Sequence, residues 1–146
     1  MDITVKKFKD LQNQELYYIL QLRSAVFVVE QNCVYQDLDG KDFKALHVIG
    51  TKKGELVAYT RIFKAGKYLE YASIGRVLVK ESARKYGYGK DILSASITAI
   101  ATYFNESRIQ LSAQCYLQRF YNSLGFIAIG ESYLEDGIPH ILMEKR

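Results

Sequence analysis

The stretch IGRVLVKESARKYGYGKDIL, residues 74–93, decides how the chain is read. Its first half ends in a continuous apolar run, Val77 to Val79, which suits a strand buried on both faces in the middle of a sheet. Its second half opens a helix, because Ile92 or Leu93, Ile97, Ile100 and Phe104 recur at three- and four-residue steps. Between them, Gly87 and Gly89 stand among Arg84, Lys85 and Lys90. Glycines let the chain turn tightly and let a ligand approach the backbone, so that successive N–H groups converge on one anion. The helix that follows adds its positive N-terminal end to the same place. A pyrophosphate suits that geometry better than a single carboxylate. The stretch is not a Walker loop: Arg84 holds the place of its first glycine, and Asp91 follows Gly89-Lys90 where Ser or Thr is required. Nor is it a dinucleotide fingerprint, since Ile92 takes the third glycine's place. Spacing alone leaves two readings level, an anion cradle and a plain strand-to-helix turn with solvated lysines.

Working outward, ITVKKF alternates as a first strand, and the apolar positions from Gln14 to about Gln31 recur at helical spacing. NCVYQDLDGKDFKA is polar and turn-rich and reads as a long loop. LHVIGTKKGELVAYTRIF reads as a hairpin around a Lys-Gly turn. Downstream, RIQLSAQ is a buried strand and YLQRFYNSL a short helix stopped by Gly125. FIAIGESYLEDGIPHILMEK closes as two strands around an Asp-Gly turn. The expected order is β-α-β-β-β-α-β-α-β-β, an α/β domain over residues 1–146 around a mixed sheet.

Composition narrows the function classes. Hydrophobic residues make up 49% and charged residues 25%, which fits an ordered globular chain. The net charge of +4 suits an anionic small ligand, and no basic run tracks a nucleic-acid backbone. No apolar run reaches membrane-spanning length and the N-terminus does not read as a signal peptide. Cys33 and Cys115 lie far apart without metal-ligand spacing, so no metal is expected, and a reduced cytoplasmic setting is the simplest expectation.

Two stretches in this order resemble the GNAT superfamily of N-acetyltransferases: IGRVLVKESARKYGYGKDIL, with R-x-x-G-x-G between a central strand and a helix, and IQLSAQCYLQRFYNSLGF, with F-Y-x-x-x-G-F. LRSAVFVVEQNCVYQDLDGKD and YLEDGIPHILM are similar to the narrower ElaA-like branch. The resemblance implies an α/β (α+β) fold with a mixed, mostly antiparallel sheet of about seven strands flanked by helices, and acetyl-CoA as cosubstrate. It implies that the backbone of Val77, Leu78 and Val79 pairs with the pantetheine arm like an added strand. It also implies that the N–H groups from Lys85 through Tyr86, Gly87, Tyr88 and Gly89 to Lys90 hold the pyrophosphate, with Arg84 and Gln114 beside the cofactor. Tyr121 matches the tyrosine that protonates the departing thiolate. A phenol of pKa about 10 can donate to a thiolate whose conjugate acid is near 8.5. Core packing beside Phe120 is the alternative.

An amine must be neutral to attack a thioester, so a proton acceptor is needed, directly or through water. Glu30, Gln31, His47, Arg76 and His140 are the substrate-side candidates, and Asp37, Asp39, Asp42, Glu135 and Asp136 are further acids. Arg23, Arg61 and Arg76 either bind a substrate carboxylate or pair with these same acids. The expected partner is a small-molecule or peptide amine, with a homodimer admitted and neither nucleic acid nor membrane expected. The expected reaction is acetyl transfer by direct attack in a ternary complex, since Cys115 lacks an evident base. The rivals are an acyl-homoserine-lactone-synthase-like acyltransferase, against which the absence of tryptophan argues, and a non-catalytic acyl-CoA-binding module.

Overall fold

The structure, a computed structural model, describes residues 1–146. Strand β1 (Asp2–Lys7) leads to helix α1 (Asn13–Arg23), whose winding widens to a π-type turn over Ser24–Glu30. Then come β2 (Leu46–Lys52), β3 (Glu55–Phe63), β4 (Ala72–Val79), a 3₁₀ segment (Glu81–Tyr86) and α2 (Tyr88–Ala99). The chain ends with β5 (Ile109–Gln114), α3 (Gln118–Asn122), β6 (Ile127–Glu135) and β7 (Ile138–Lys145). The expected order of elements is therefore observed. Both hairpin turns form with positive φ at their two central residues, Lys53-Gly54 and Asp136-Gly137, as a tight primed turn requires.

The seven strands form one sheet in the order β1-β2-β3-β4-β5-β7-β6. All neighbours are antiparallel except β4 and β5, which run parallel. That parallel pairing covers only Ala72 with Ile109 and Ser73 with Gln110. Beyond Ser73 the two strands part, and a wedge opens between them toward their C-terminal ends.

Two apolar clusters hold the layers. On one face Ile92, Leu93 and Ile100, from α2 and the turn that follows it, pack against Ile74, Ile109 and Leu111. On the other, Ile19 and Val26 meet Ile49, Tyr59 and Leu78. Each fully buried aliphatic side chain contributes roughly 1.5–3 kcal/mol. The first face buries more of them, so α2 is the more firmly seated helix.

β4 carries the local distortion that shapes the wedge. Its register against β3 shifts between Tyr59 and Arg61, and Arg76 sits in the bulge with φ +51°. A non-glycine residue held there stores about 1 kcal/mol or more, which the surrounding contacts must offset.

Candidate active site

The wedge exposes one edge of β4. The Lys80 N–H donates to the Val57 carbonyl at 2.7 Å, and Leu78 lies opposite Tyr59 two residues earlier in the same ladder. Antiparallel ladders alternate, so Leu78 turns its N–H and C=O to β3, while Val77 and Val79 turn theirs toward the gap. Of the three residues expected to face a ligand, Leu78 is thus committed to the sheet, and its side chain is buried against Ile19 and Val26. Val77 keeps the open edge, and Val79 keeps its N–H there while its carbonyl accepts from Arg84 Nε.

The glycine turn lies at the mouth of this gap. Residues 81–86 are wound as a 3₁₀ segment, which the Ala83 N–H opens by donating to the Lys80 carbonyl at 2.8 Å. Gly87 then takes φ +74°, and α2 begins at Tyr88 without a side-chain cap. The first i→i−4 bond runs from the Asp91 N–H to the Gly87 carbonyl. The amides of Tyr88, Gly89 and Lys90 are therefore left without intrahelical acceptors. This run of free amides is shorter than the Lys85–Lys90 span expected from sequence to meet an anion. Lys85 and Lys90 are exposed beside it, as is Tyr86, while Tyr88 is buried and anchors the helix start. A Cβ on Gly89 would stand 3.5 Å from Phe120 Cζ and 3.8 Å from Val79 Cγ2, so Gly89 faces the space between α2, α3 and the strand edge.

Arg84 does not stand free. Its Nη atoms grip both Glu30 oxygens at 2.6 and 2.8 Å, and its Nε donates to the Val79 carbonyl at 3.0 Å. The hydrogen bonds to Glu30 raise its pKa further. Arg84 thus fastens the loop to the end of the first helix, and Glu30 is spent in the same contact. Glu30 also lines a groove of about 700 Å³, together with Val26, Val29 and Ser82 among others.

Tyr121 lies on α3, which stops where Gly125 takes φ +93° and Phe126 N–H returns to the Tyr121 carbonyl at 3.1 Å. The side chain is 5% exposed and packs edge-on against Phe120 and Phe126. Burial, with a smaller contribution from Tyr116, pushes its phenol up to about 12, and no hydrogen bond offsets this. Packing and a free hydroxyl coexist in this residue. Tyr116, 74% exposed, lies near both Tyr121 and Arg84 and was not singled out from sequence. Its only sequence signal is its place in the segment joining β5 to α3.

The acidic loop is not open to a substrate. Arg23 bonds Asp37 at 2.8 Å and Asp42 at 2.7 Å, and Arg61 bonds Asp42 at 3.0 Å and Asp39 at 2.5 Å. Arg76 Nη2 donates to the Asp37 carbonyl at 2.9 Å, with Nε 2.7 Å from Asp37 Oδ1 but not aligned as a hydrogen bond. Burial alone would raise the carboxyl pKa values of Asp39 and Asp42; the arginine hydrogen bonds outweigh it and hold both well below the usual range. The three arginines and three aspartates pair with one another, with only the buried Nε atoms of Arg61 and Arg76 left without an aligned acceptor, which resolves the choice left open by the sequence. His47 also belongs here and not on the acceptor side. It is 1% exposed, with Nδ1 2.6 Å from the Tyr59 hydroxyl and Nε2 3.0 Å from the Asp42 carbonyl, and burial lowers its pKa.

A different surface opens across the gap. Ile109, Leu111 and Ala113 of β5 point into the core under α2, so Gln110, Ser112 and Gln114 face the opposite side. Ser112 is exposed although β5 is an interior strand, because nothing covers this part of the sheet. Gln114 pairs in register with His140 and donates to Gln31 Oε1 at 3.3 Å. Cys33 Sγ reaches the Asp136 carbonyl at 3.3 Å, so the loop after the first helix bridges to the β6–β7 turn. The structure therefore brings Gln31, Gln114 and His140 together, with Ser112, Tyr133 and Glu135 beside them.

This arrangement joins a parted pair of parallel strands, an uncapped helix start and a buried tyrosine with a free hydroxyl. The acetyltransferase (GNAT) domain family matches residues 8–146. The chain is 47% identical over 138 residues to protein ElaA of Escherichia coli K12, covering 93% of this chain and 90% of that protein. The crystal structure of Escherichia coli ElaA superposes with a TM-score of 0.92 at 44% identity, covering 99% of each chain. That of an acyl-CoA N-acyltransferase from Pseudomonas aeruginosa gives 0.93 at 40% identity over 100% of both. No helix is long and apolar enough to cross a membrane. The chain belongs to the GNAT acetyltransferase family, on its ElaA-like branch.

Proposed function

We propose that the protein moves the acetyl group of acetyl-CoA to the amine of a small molecule or peptide, by direct attack with both substrates bound. The observation that carries this reading is the parting of β4 from β5 beside the uncapped start of α2. The N–H and C=O of Val77 and the N–H of Val79 offer main-chain partners to the amides of the pantetheine arm, as an edge strand does to an added strand. The amides of Tyr88, Gly89 and Lys90 receive the pyrophosphate, with Lys85 and Lys90 supplying charge. Arg84 keeps the loop in place through Val79 and Glu30.

Tyr121 donates from its hydroxyl to the sulfur as negative charge develops there. With the phenol at about 12 and a thiol near 8.5, a strong hydrogen bond is favoured over completed proton transfer. The attacking nitrogen arrives from the polar floor of β5 and β7, where Gln31 and Gln114 narrow the opening.

The test is release of CoA thiol from acetyl-CoA in the presence of amines, polyamines, amino acids and peptide N-termini. Amine-dependent release that falls sharply in Tyr121→Phe is expected. Binding of acetyl-CoA without turnover on any amine would point instead to a non-catalytic acyl-CoA-binding module.

A further inference from the structure

The polar floor holds a cluster to which no role has yet been given. Glu135 Oε2 lies 3.3 Å from His140 Nε2, and Glu135 Oε1 accepts from Ser112 Oγ at 3.4 Å. Tyr133 stacks on His140, and its hydroxyl is 2.5 Å from Ser112 Oγ. Since a carboxylate only accepts, Ser112 donates to Glu135 and Tyr133 donates to Ser112. Two strands, β5 through Ser112 and β7 through His140, thus aim polar groups at one carboxylate of β6.

The proton count of this cluster is constrained by geometry. His140 Nδ1 is 2.7 Å from the Ile138 carbonyl, which cannot donate, so Nδ1 must carry a hydrogen. A neutral ring would then turn the bare lone pair of Nε2 toward the Glu135 carboxylate, two acceptors face to face. The contact is satisfied only when one proton lies between ring and carboxylate. A proton taken from a group bound at Glu135 would be shared between carboxylate and ring.

Its surroundings single it out. The acids of the long loop and of the first helix end are neutralised by arginine: Asp37, Asp39 and Asp42 by Arg23, Arg61 and Arg76, and Glu30 by Arg84. Glu144, farther along the same face, is held by Arg108 and Arg146. Glu135 has no arginine or lysine partner, and its side chain is 48% exposed while His140 behind it is 9% exposed. The other groups facing the pair are Tyr133 and Ser112, with Cys33 on the Asp136 carbonyl at the adjoining turn.

We propose that Glu135 is the group that meets the acceptor's ammonium and removes its proton, and that His140 is the positioning residue that shares this proton. The inference rests on the acyl-transfer reading above, and it implies an acceptor that is a cationic primary amine at neutral pH. The ammonium gives one proton to the Glu135–His140 pair. The freed nitrogen electron pair forms the C–N bond as the C–S bond breaks, and the sulfur leaves with its electrons, hydrogen-bonded by Tyr121. The nitrogen then sheds a second proton, which reaches the thiolate through water. The first proton returns from the pair to solvent.

The experiment compares two probes, n-butylamine, which is charged at pH 7, and hydroxylamine, which is already neutral there. Glu135→Gln should lower kcat/KM for n-butylamine by about 100-fold or more at pH 7, the scale of a lost general base. The deficit should shrink as pH rises and the amine deprotonates by itself. With hydroxylamine the loss should be about tenfold or less. His140→Asn should show the same ordering with a smaller deficit. Acetyl-CoA should stabilise both variants as it does the wild type, which separates this role from a folding defect. Equal losses on the two amines, no loss on n-butylamine, or wild-type transfer to hydroxylamine alone would each overturn the proposal while leaving acyl transfer intact. Wild-type protein that acetylates neither amine would overturn the acyl-transfer reading and this proposal with it.

Discussion

His47 and His140 are the only histidines of the chain, both on strands and both with two ring nitrogens engaged, yet they sit in opposite kinds of place. His47 is sealed beside the arginine–aspartate knot under β2 and β3, against a tyrosine hydroxyl and a backbone carbonyl. His140 lines the open floor across the gap from β4, against a half-exposed carboxylate. The contrast extends to the charges around them. On the first side every acid is spent on a buried arginine; on the second, Glu135 has no arginine at all. A sealed, saturated cluster can only hold the fold, whereas an open, unsaturated one can exchange protons with what enters.

The hardest way to break this division is to remove a charge from the sealed side. Arg61→Met leaves the carboxylates of Asp39 and Asp42 short of a partner in a buried place, which should cost about 3–5 kcal/mol in denaturant unfolding. A loss below about 1 kcal/mol would mean that the knot is wetter than its burial implies.

On the open side the signature reverses. Tyr121→Phe removes a hydroxyl that bonds to nothing, so stability should hold. Turnover should fall by about 10²–10⁴-fold. A variant that loses stability and keeps its rate would assign Tyr121 to packing.

The two glycines of the turn sharpen the comparison further. Gly87 has φ +74° with open space around its α-carbon, so Gly87→Ala should destabilise by about 1–2 kcal/mol through backbone strain alone. Gly89 lies inside α2 with ordinary clearance, so Gly89→Ala should fold at least as well as wild type. Its added methyl enters the space beside Phe120 and Val79, and the stabilisation by acetyl-CoA should weaken. Stability and binding measured on both variants check this crossing of effects.

The smallest effect concerns pH. Burial depresses the pKa of His47 in the folded protein, so the unfolded chain binds the extra proton first as pH falls below about 6.5. His47 therefore contributes stability above that pH, and the contribution is lost as pH falls toward its folded value. Melting temperatures between pH 7.5 and 5.5 should decline in the wild type and decline less in His47→Gln. A wild-type rise over this interval would contradict the sealed environment.

Much of the fold was legible from local pattern. The Lys53-Gly54 and Asp136-Gly137 turns, the Val77–Val79 run and the helix after Gly89 each announce themselves within a few residues. The turn that opens α2 and the short helix that carries Tyr121 lie where R-x-x-G-x-G and F-Y-x-x-x-G-F place a turn and a helix. What was not legible depends on distance along the chain. The bulge at Arg76 is set by register against β3, and the partners of Arg23 lie 14 and 19 residues away. His47 and His140 look alike as residues, and only burial and the neighbours each acquires by folding separate them. The same holds for Leu78, whose apolar side chain says nothing about which way its amide turns.

The central claim is that the gap between β4 and β5 receives acetyl-CoA along Val77, Val79 and the start of α2. Its most direct measurement is the melting temperature with and without acetyl-CoA. At about 100-fold excess over Kd, binding adds about 2.7 kcal/mol. For a chain of this size that is a rise of several degrees, at about 2–4 °C per kcal/mol. The account predicts that rise in the wild type and a clearly smaller one in Gly89→Ala at unchanged intrinsic stability. A wild-type melting curve that does not move at millimolar acetyl-CoA would contradict it.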